Sequence, residues 1–429
     1  MFESNPPTSP RWAQWSLVIL FVTTLCLPAV TTRWLGSSLL LIPELRPAKD
    51  LPAFPRKTSH WKQLPTDLEN ALIDRIGFRR EALQIRLFWK YGLLGQLPSG
   101  LVVLGRNHWL YLDSSHAMRP HWDERLRQRI VQTNLDHLRQ RRDWLAARGI
   151  PLGVVIAPEK QTIHPENAPN GFLQHWTEEI ATFNQELARN QIQPGAEFDL
   201  IDWRPTLRRI AQSGKRLTYR TDSHWNLHGL VNGLGPVVDR LRGTRNPTES
   251  GLVTSWVDHF QIGSNASQNQ PLDLSRIAGL AEPWIQQSGL SRPFDEPFDS
   301  LISNHPHAIV RPDASDSTIR HYRCEAPSVR NRPRVVLLHD SFFVSAVSLL
   351  ARECPEILGV YQNEFPVKLI EEFKPDLVIQ ALSERWFLAP QSPRLLPPPQ
   401  DSSQPDPSRS ANPSWNLTRP FEESAPQRR

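Results

Sequence analysis

The chain has 429 residues, 39% of them apolar and 22% charged, enough for one large domain or two ordinary ones with an ample core. Its net charge of +5 comes mostly from arginine, and no Lys/Arg block is interleaved with aromatics, which argues against a nucleic-acid partner. Three cysteines are too few for a disulfide scaffold, and none has metal-ligand spacing.

The basic excess suits a solvated surface, or one that meets acidic glycan or a membrane face. Cys26 lies in an apolar run, which leaves Cys324 and Cys354 as a single bridge if the body is extracytoplasmic. Proline is abundant, 40 residues against an average share near 5%, and crowds toward the end of the chain.

Residues 12–32 carry no charge and are flanked by Arg11 and Arg33. That run just meets the roughly 20 residues a membrane helix needs. It is read as an uncleaved signal-anchor behind a cytoplasmic tail of residues 1–11, with the body outside. A cleaved signal peptide ending near Ala29 is the alternative. Residues 33–65 form a proline-rich linker, and the main domain is placed at residues 66–389. An amphipathic helix is expected over residues 67–94, with Leu68, Leu72, Ile76, Leu83, Leu87 and Trp89 at helical spacing and a kink at Gly77.

Residues 101–112 predict two short strands around Gly105-Arg106-Asn107. A helix over 123–148 ends at Gly149, where a C-terminal cap belongs, and the continuous apolar strand 150–157 follows at once. Helix, short loop and buried strand are the pattern of a parallel α/β sheet. The unit repeats through a helix over 178–189, a strand over 198–201 and a helix over 207–211, with another helix at 230–241. Periodicity is poor over 243–332, which reads as an irregular insertion with a short helix at 274–280. Order returns with strand 334–338, helix 343–352, strand 357–361, helix 366–373 and strand 376–381. Residues 390–429 are rich in Pro, Ser, Gln and Arg and are expected to be disordered.

Two stretches carry chemistry. Thr221-Asp222-Ser223-His224-Trp225-Asn226 presents a carboxylate and an imidazole two residues apart. His339-Asp340-Ser341-Phe342 presents a hydroxyl where a buried strand gives way to a helix, the end at which open α/β sheets place ligands. The unpaired N–H groups of that helix start would suit an oxyanion. A plain helix cap by Ser341 or Asp340 is the simpler account of the second stretch alone. A serine nucleophile needs a neutral imidazole within reach, and the imidazole needs a carboxylate to fix its tautomer, so the two stretches are complementary. A metal site from Asp222, His224 and His228 is a further option, though no additional ligand accompanies it.

In order along the chain stand Glu44-Leu45-Arg46-Pro47, Asp74-Arg75-Ile76-Gly77-Phe78-Arg79, and Leu104-Gly105-Arg106-Asn107-His108-Trp109-Leu110-Tyr111. Ala157-Pro158-Glu159-Lys160 and His164-Pro165-Glu166 follow, then the Asp222–His224 turn, Asp273-Leu274-Ser275-Arg276, the Ser341 turn, Lys374-Pro375-Asp376-Leu377-Val378 and Ser383-Glu384-Arg385. From about residue 44 to 388 this series resembles the periplasmic SGNH-hydrolase-type O-acetyltransferases of polysaccharide modification, the AlgX/AlgJ-like family. The resemblance implies an SGNH-like sheet flanked by helices, with Ser341 as nucleophile, His224 as general base and Asp222 as its orienter.

It further implies Lys160 and Asn226 as substrate or oxyanion candidates, a polysaccharide acceptor, and a multispanning membrane O-acyltransferase as acetyl donor, with no cofactor or metal. His339 stands where the family turn has glycine, so it would reshape the oxyanion hole or add a second imidazole. Ser223 replaces the family's threonine. An ion pair is the expectation for Glu384 and Arg385. The implied activity is extracytoplasmic acetyl transfer. The rivals are a carbohydrate acetylesterase with the same triad and a catalytically impaired glycan-binding or assembly module.

Overall fold

Three short runs, Leu152–Ala157, Val335–His339 and Leu377–Ser383, are buried at every position, and a strand buried on both faces has to lie inside a sheet. In a computed structural model the described residues are 11–34, 51–52, 58–73, 85–86, 88–97, 99–113, 124–190, 199–243, 256–258, 260–270, 272–280, 292–303, 310–315, 318–361 and 364–397. The chain forms two compact units, residues 1–99 with 276–293, and residues 100–275 with 294–429.

In the first unit, helix α1 (Arg11–Trp34) covers the charge-free run, and Trp12, Trp15, Leu17, Ile19, Leu20 and Phe21 are exposed on it. Among the described residues no helix is long and apolar enough to cross a membrane, so the spanning segment expected over residues 12–32 is not found. Gln14, Ser16, Thr23 and Thr24 dilute the apolar surface; Thr24 turns its hydroxyl back onto the Leu20 carbonyl at 2.8 Å. Helix α2 (Thr58–Ile73) starts inside the expected linker and contains Pro65. Gly77, the expected kink, lies outside the described residues. The chain resumes in a π-helical turn, Phe88–Leu93.

The second unit opens with β1 (Val102–Leu104) and β2 (Leu110–Leu112), which pair antiparallel around the Arg106–His108 turn as the sequence predicts. Then follow α3 (Glu124–Ala146), β3 (Leu152–Ala157), α4 (Asn170–Arg189), β4 (Asp199–Asp202), α5 (Arg204–Gln212) and α6 (Leu227–Leu241). Strands β5 (Phe260–Gln270), β6 (Glu296–Ser303), β7 (Val310–Ser315), β8 (Ile319–Cys324) and β9 (Val335–His339) come next. The chain continues through α7 (Ala346–Leu350), β10 (Glu356–Tyr361), α8 (Val367–Phe373), β11 (Leu377–Ser383) and α9 (Glu384–Leu388).

The sheet order is β4-β3-β11-β9-β10-β8-β7. The first five strands are parallel, but β8 and β7 run antiparallel, so the sheet is mixed where a parallel one was expected. Side chains alternate between two cores. Val335 and Leu337 join Trp203, Val231 and Leu234 on one side, while Val336 and Leu338 join Leu135, Leu138 and Phe183 on the other.

The span 243–332 is not the irregular insertion expected from its composition. It supplies the antiparallel pair β5–β6, a helical turn at Asp273–Ile277, and the last two strands of the sheet, β8 and the edge strand β7. Strand β8, Ile-Arg-His-Tyr-Arg-Cys, pairs with β10 on one side and β7 on the other but is mostly half-buried, so it needs no apolar run and its composition concealed it. Cys324 and Cys354 are both buried and free, so the expected bridge is not formed; Cys354 packs in the core as a small apolar residue. Order also runs past residue 389. The buried Arg141 donates to the Leu395 carbonyl at 2.8 Å, to Gln380 Oε1 at 2.6 Å and to Gln391 Oε1 at 3.0 Å. The remainder of the expected disordered tail, residues 398–429, lies outside the described residues.

Helix α6 is seated by glycines one turn apart. A Cβ on Gly229 would strike the Leu217 carbonyl and the Trp225 Cβ, and one on Gly233 would strike the Trp203 ring. The Leu217 carbonyl is backbone and cannot rotate away, so Gly229→Ala is expected to lower unfolding free energy by about 1–3 kcal/mol, measured by urea denaturation. A loss below about 0.5 kcal/mol would mean that the helix is not held this close.

Candidate active site

Strands β3, β11 and β9 are adjacent, and their carboxyl ends deliver Glu159, Ser383 and Asp340 to one edge of the sheet. Asp340 caps the turn that follows β9. Its Oδ1 accepts from the Phe342 N–H at 3.0 Å and its Oδ2 from the Ser383 N–H at 2.9 Å, so one carboxylate ties two strand ends together. Burial pushes the Asp340 carboxyl above its ordinary range, against the pull of Ser383 and Arg385. Because Asp340 takes the capping role, Ser341 is left exposed at the start of the 3-10 turn Ser341–Phe343. The oxyanion donors expected there are mostly committed. Phe342 and Phe343 N–H both go to Asp340, and Val344 N–H to the Ser341 carbonyl, leaving the Ser341 amide as the turn's uncommitted donor among the described residues.

A mid-chain loop reaches the same edge. Glu296, fully buried on β6, accepts from Arg220 N–H at 2.7 Å and Thr221 N–H at 3.2 Å, and pairs with Arg216 at 2.8 Å. Just beyond, Asp222 Oδ1 accepts from the His224 backbone N–H at 2.9 Å and from His224 Nδ1–H at 2.6 Å. His224 Nε2 stands 3.0 Å from Ser341 Oγ, in hydrogen-bond reach of a residue 117 positions away. The Phe342 ring, 4.8 Å from the imidazole, packs beside it, and Trp225 stacks edge-on to Phe342 and Phe343. The structure thus brings together Asp222, His224 and Ser341.

A fourth residue joins them that the sequence reading left without a role. Asp273 Oδ1 accepts from Ser223 N–H at 2.6 Å, and its Oδ2 accepts from Ser223 Oγ and lies 3.4 Å from His224 Nδ1. Its only sequence signal was the phrase Asp-Leu-Ser-Arg inside a stretch of poor periodicity. Burial works against the imidazolium, but hydrogen bonds and charge from Asp222 and Asp273 outweigh it and raise His224 to about 9. The same pairing overcomes burial to hold Asp273 down at about 2. The close group of donor atoms, within 4.8 Å of one another, is therefore Asp222, His224 and Asp273; His228 of the metal alternative is not in it.

The other candidates are used differently from what was expected. Lys160 is buried, and its Nζ donates to the carbonyls of Leu110 at 2.8 Å and Arg220 at 3.0 Å, so it braces β2 and the loop instead of facing a ligand. Burial brings that ammonium down to about 7 despite the carboxylates around it. Asn226 is the N-cap of α6, accepting from Gly229 N–H at 3.0 Å and donating to the Arg216 carbonyl at 2.9 Å, which leaves it no freedom to bind substrate. His339 is buried, its Nδ1 2.8 Å from the Asp340 carbonyl, and burial lowers its pKa, so it is a neutral strut under the turn. Arg385 pairs with Glu159, with Nη2 at 2.8 Å from Oε2, and stacks 5.0 Å from the Phe342 ring centroid. Glu384 pairs with Arg204 at 3.6 Å and accepts from Glu159 N–H at 2.8 Å and Thr162 Oγ1 at 2.7 Å, so both residues form ion pairs as expected; burial lifts Glu384 to about 7.

Residues 102–287 match the family model of the SGNH hydrolase-like domain of acetyltransferase AlgX. Over that span, less than half of the chain, the protein is similar to this AlgX domain. The matched span holds Asp222, His224 and Asp273, while Ser341 lies beyond it. Among solved structures, PatB1 of Bacillus cereus is similar at 11% identity, covering 68% of this chain and 99% of that one with a TM-score of 0.48. The O-acetyltransferase domain of Pseudomonas putida AlgJ is similar at 17% identity, with 69% and 95% covered and a TM-score of 0.44. AlgX of Pseudomonas aeruginosa is similar at 15% identity, with 68% and 63% covered and a TM-score of 0.38. No curated protein matches the chain.

A serine that depends on neutral His224 should react accordingly. Labelling of Ser341 by phenylmethylsulfonyl fluoride is expected to rise with pH and reach half its maximal rate near pH 9, where the raised imidazolium loses its proton. A midpoint near 6.5, the free histidine value, would show that the two carboxylates do not act on the ring.

Proposed function

We propose that this chain is an extracytoplasmic O-acetyltransferase that passes an acetyl group through Ser341 to hydroxyls of a polysaccharide. The observation that carries this reading is the unbroken line of hydrogen bonds from Asp222 through His224 to an exposed Ser341, 2.6 Å and 3.0 Å. The match to the domain of acetyltransferase AlgX supports the acetyl-transfer class, and the polysaccharide acceptor follows from the resemblance of the motif series.

His224 Nε2 takes the Ser341 proton as Oγ attacks the acetyl carbonyl, and Asp222 stabilises the imidazolium through Nδ1–H. The Ser341 amide faces the developing oxyanion. Collapse expels the donor's leaving group, which receives the proton from His224 and leaves an acetyl ester on Ser341. A sugar hydroxyl then gives its proton to Nε2, attacks the ester carbonyl, and departs acetylated as the proton returns to Ser341 Oγ. Each proton is held by a side chain of this chain. The acetyl donor on the outer side would be a multispanning membrane O-acyltransferase.

The charge-free run 12–32 would tether the chain to the membrane, a reading that rests on its sequence. Extraction of the full chain from membranes by alkaline carbonate would refute it. Hydrolysis is the second reading, and the exposure of Ser341 favours it, since water can reach the acyl-enzyme. The buried place of His339 weighs against a spoiled, non-catalytic turn.

With 4-nitrophenyl acetate, the wild type is expected to release nitrophenol in a burst of about one equivalent, and Ser341→Ala to show none. Adding an oligosaccharide acceptor should speed turnover and yield acetylated sugar. Equal release by wild type and Ser341→Ala ends the enzymatic reading, and free acetate with no acetylated sugar selects the esterase.

A further inference from the structure

We propose that Asp273 is a second carboxylate of the proton relay, a positioning residue that shares with Asp222 the task of holding the His224 ring. The proposal deepens the serine acyl-transfer reading and rests on its assignment of His224 as base.

Asp273 is built into the site by reciprocal bonds between two segments fifty residues apart. Its N–H donates to Asp222 Oδ2 at 3.2 Å, while Ser223 N–H donates back to Asp273 Oδ1 at 2.6 Å. The next two amides of its turn, Leu274 and Ser275, both donate to the Thr221 carbonyl, at 3.1 Å and 3.3 Å. Five backbone and side-chain bonds, counting Ser223 Oγ to Oδ2, thus fix this carboxylate against the His224 turn. A surface acid with no role in the site would need none of them.

The two carboxylates differ in what they do. Nδ1 has one proton, and Asp222 Oδ1 at 2.6 Å takes it; Asp273 Oδ2, at 3.4 Å, is satisfied in the resting state by the Ser223 hydroxyl. When the ring gains a second proton in the reaction, its positive charge lies beside both carboxylates. Among the described residues the groups around the ring are the Asp222 and Asp273 carboxylates, Ser223, Ser341 and the Phe342 face. Among the described residues the other cations that act on Asp273 are Lys160 and Arg385, each held by its own partners, and the imidazolium is the one in direct contact with it, at 3.4 Å. Asp273 therefore adds transition-state stabilisation and limits rotation of the ring about Cβ–Cγ when Asp222 is lost.

The test uses the full chain and two readouts, Ser341 labelling by phenylmethylsulfonyl fluoride and turnover of 4-nitrophenyl acetate, each as a pH profile. In Asp273→Asn the amide oxygen still accepts from Ser223 N–H. This variant should lose about 10-fold in labelling rate, with its acid limb displaced to lower pH because a negative charge beside the imidazolium is gone. Asp222→Asn should keep a residual rate above Ser341→Ala, and the double variant Asp222→Asn/Asp273→Asn should fall to the Ser341→Ala level. An unmoved acid limb in Asp273→Asn, or a double variant no slower than Asp222→Asn, overturns the proposal. Should Asp273→Asn fail to fold, Ser223→Ala frees Oδ2 from its hydroxyl partner and should move the limb to higher pH; no movement overturns the proposal equally. A wild type that labels with these profiles but gives no acyl transfer would sink the acetyltransferase reading and leave the relay standing.

Discussion

A single carboxylate at the end of β9 decides where the nucleophile stands. Asp340 accepts one N–H from its own turn and one from the end of the neighbouring strand β11, and both are buried. Two parallel strands are thereby locked at the same height, and the residue after Asp340 has to leave the sheet and face solvent. Ser341 owes its exposure to that arrangement. The His224 turn is set by a comparable device, the Glu296 carboxylate gathering two backbone amides. A buried carboxylate held by backbone donors resists displacement, since breaking the bond leaves a desolvated charge without a partner.

Beneath the exposed groups lies a floor of buried ionic residues. Lys160 on carbonyls, Glu384 on an amide, a hydroxyl and, at 3.6 Å, Arg204, and Glu159 with Arg385 tie the ends of β3 and β11 to the segments around them. Their task is geometric. They fix the strand ends against which Phe342 and Trp225 pack, and those rings in turn set the plane of the imidazole.

Much of this was legible in the amino-acid order. Strands β3, β9 and β11 announce themselves because burial on both faces demands continuous apolar residues, and α3 because its apolar positions recur every turn. Asp222, His224 and Ser341 could be named because nucleophile, base and orienter require those residue types. The last two strands of the sheet, β8 and β7, were concealed, since β8 is held by backbone pairing on both sides and carries two arginines and a histidine in six residues. Asp273 was concealed for a related reason: its value comes from a loop folded against another loop, and no local pattern records that. Lys160, Asn226 and His339 were named for substrate contact because a motif gives residue identity without depth, and depth decides whether an ammonium, an amide or an imidazole meets a ligand or a carbonyl.

The guanidinium of Arg141 makes the stretch after the last strand obligatory. Two of its three acceptors, the Leu395 carbonyl and Gln391, belong to the short strap that returns along α3, and the third, Gln380, sits within β11. A protein ending at its final helix would keep every strand and still enclose a cation with one neutral acceptor. The fold is therefore complete only when the polypeptide has doubled back, a closing clasp laid down after all the sheet that it secures.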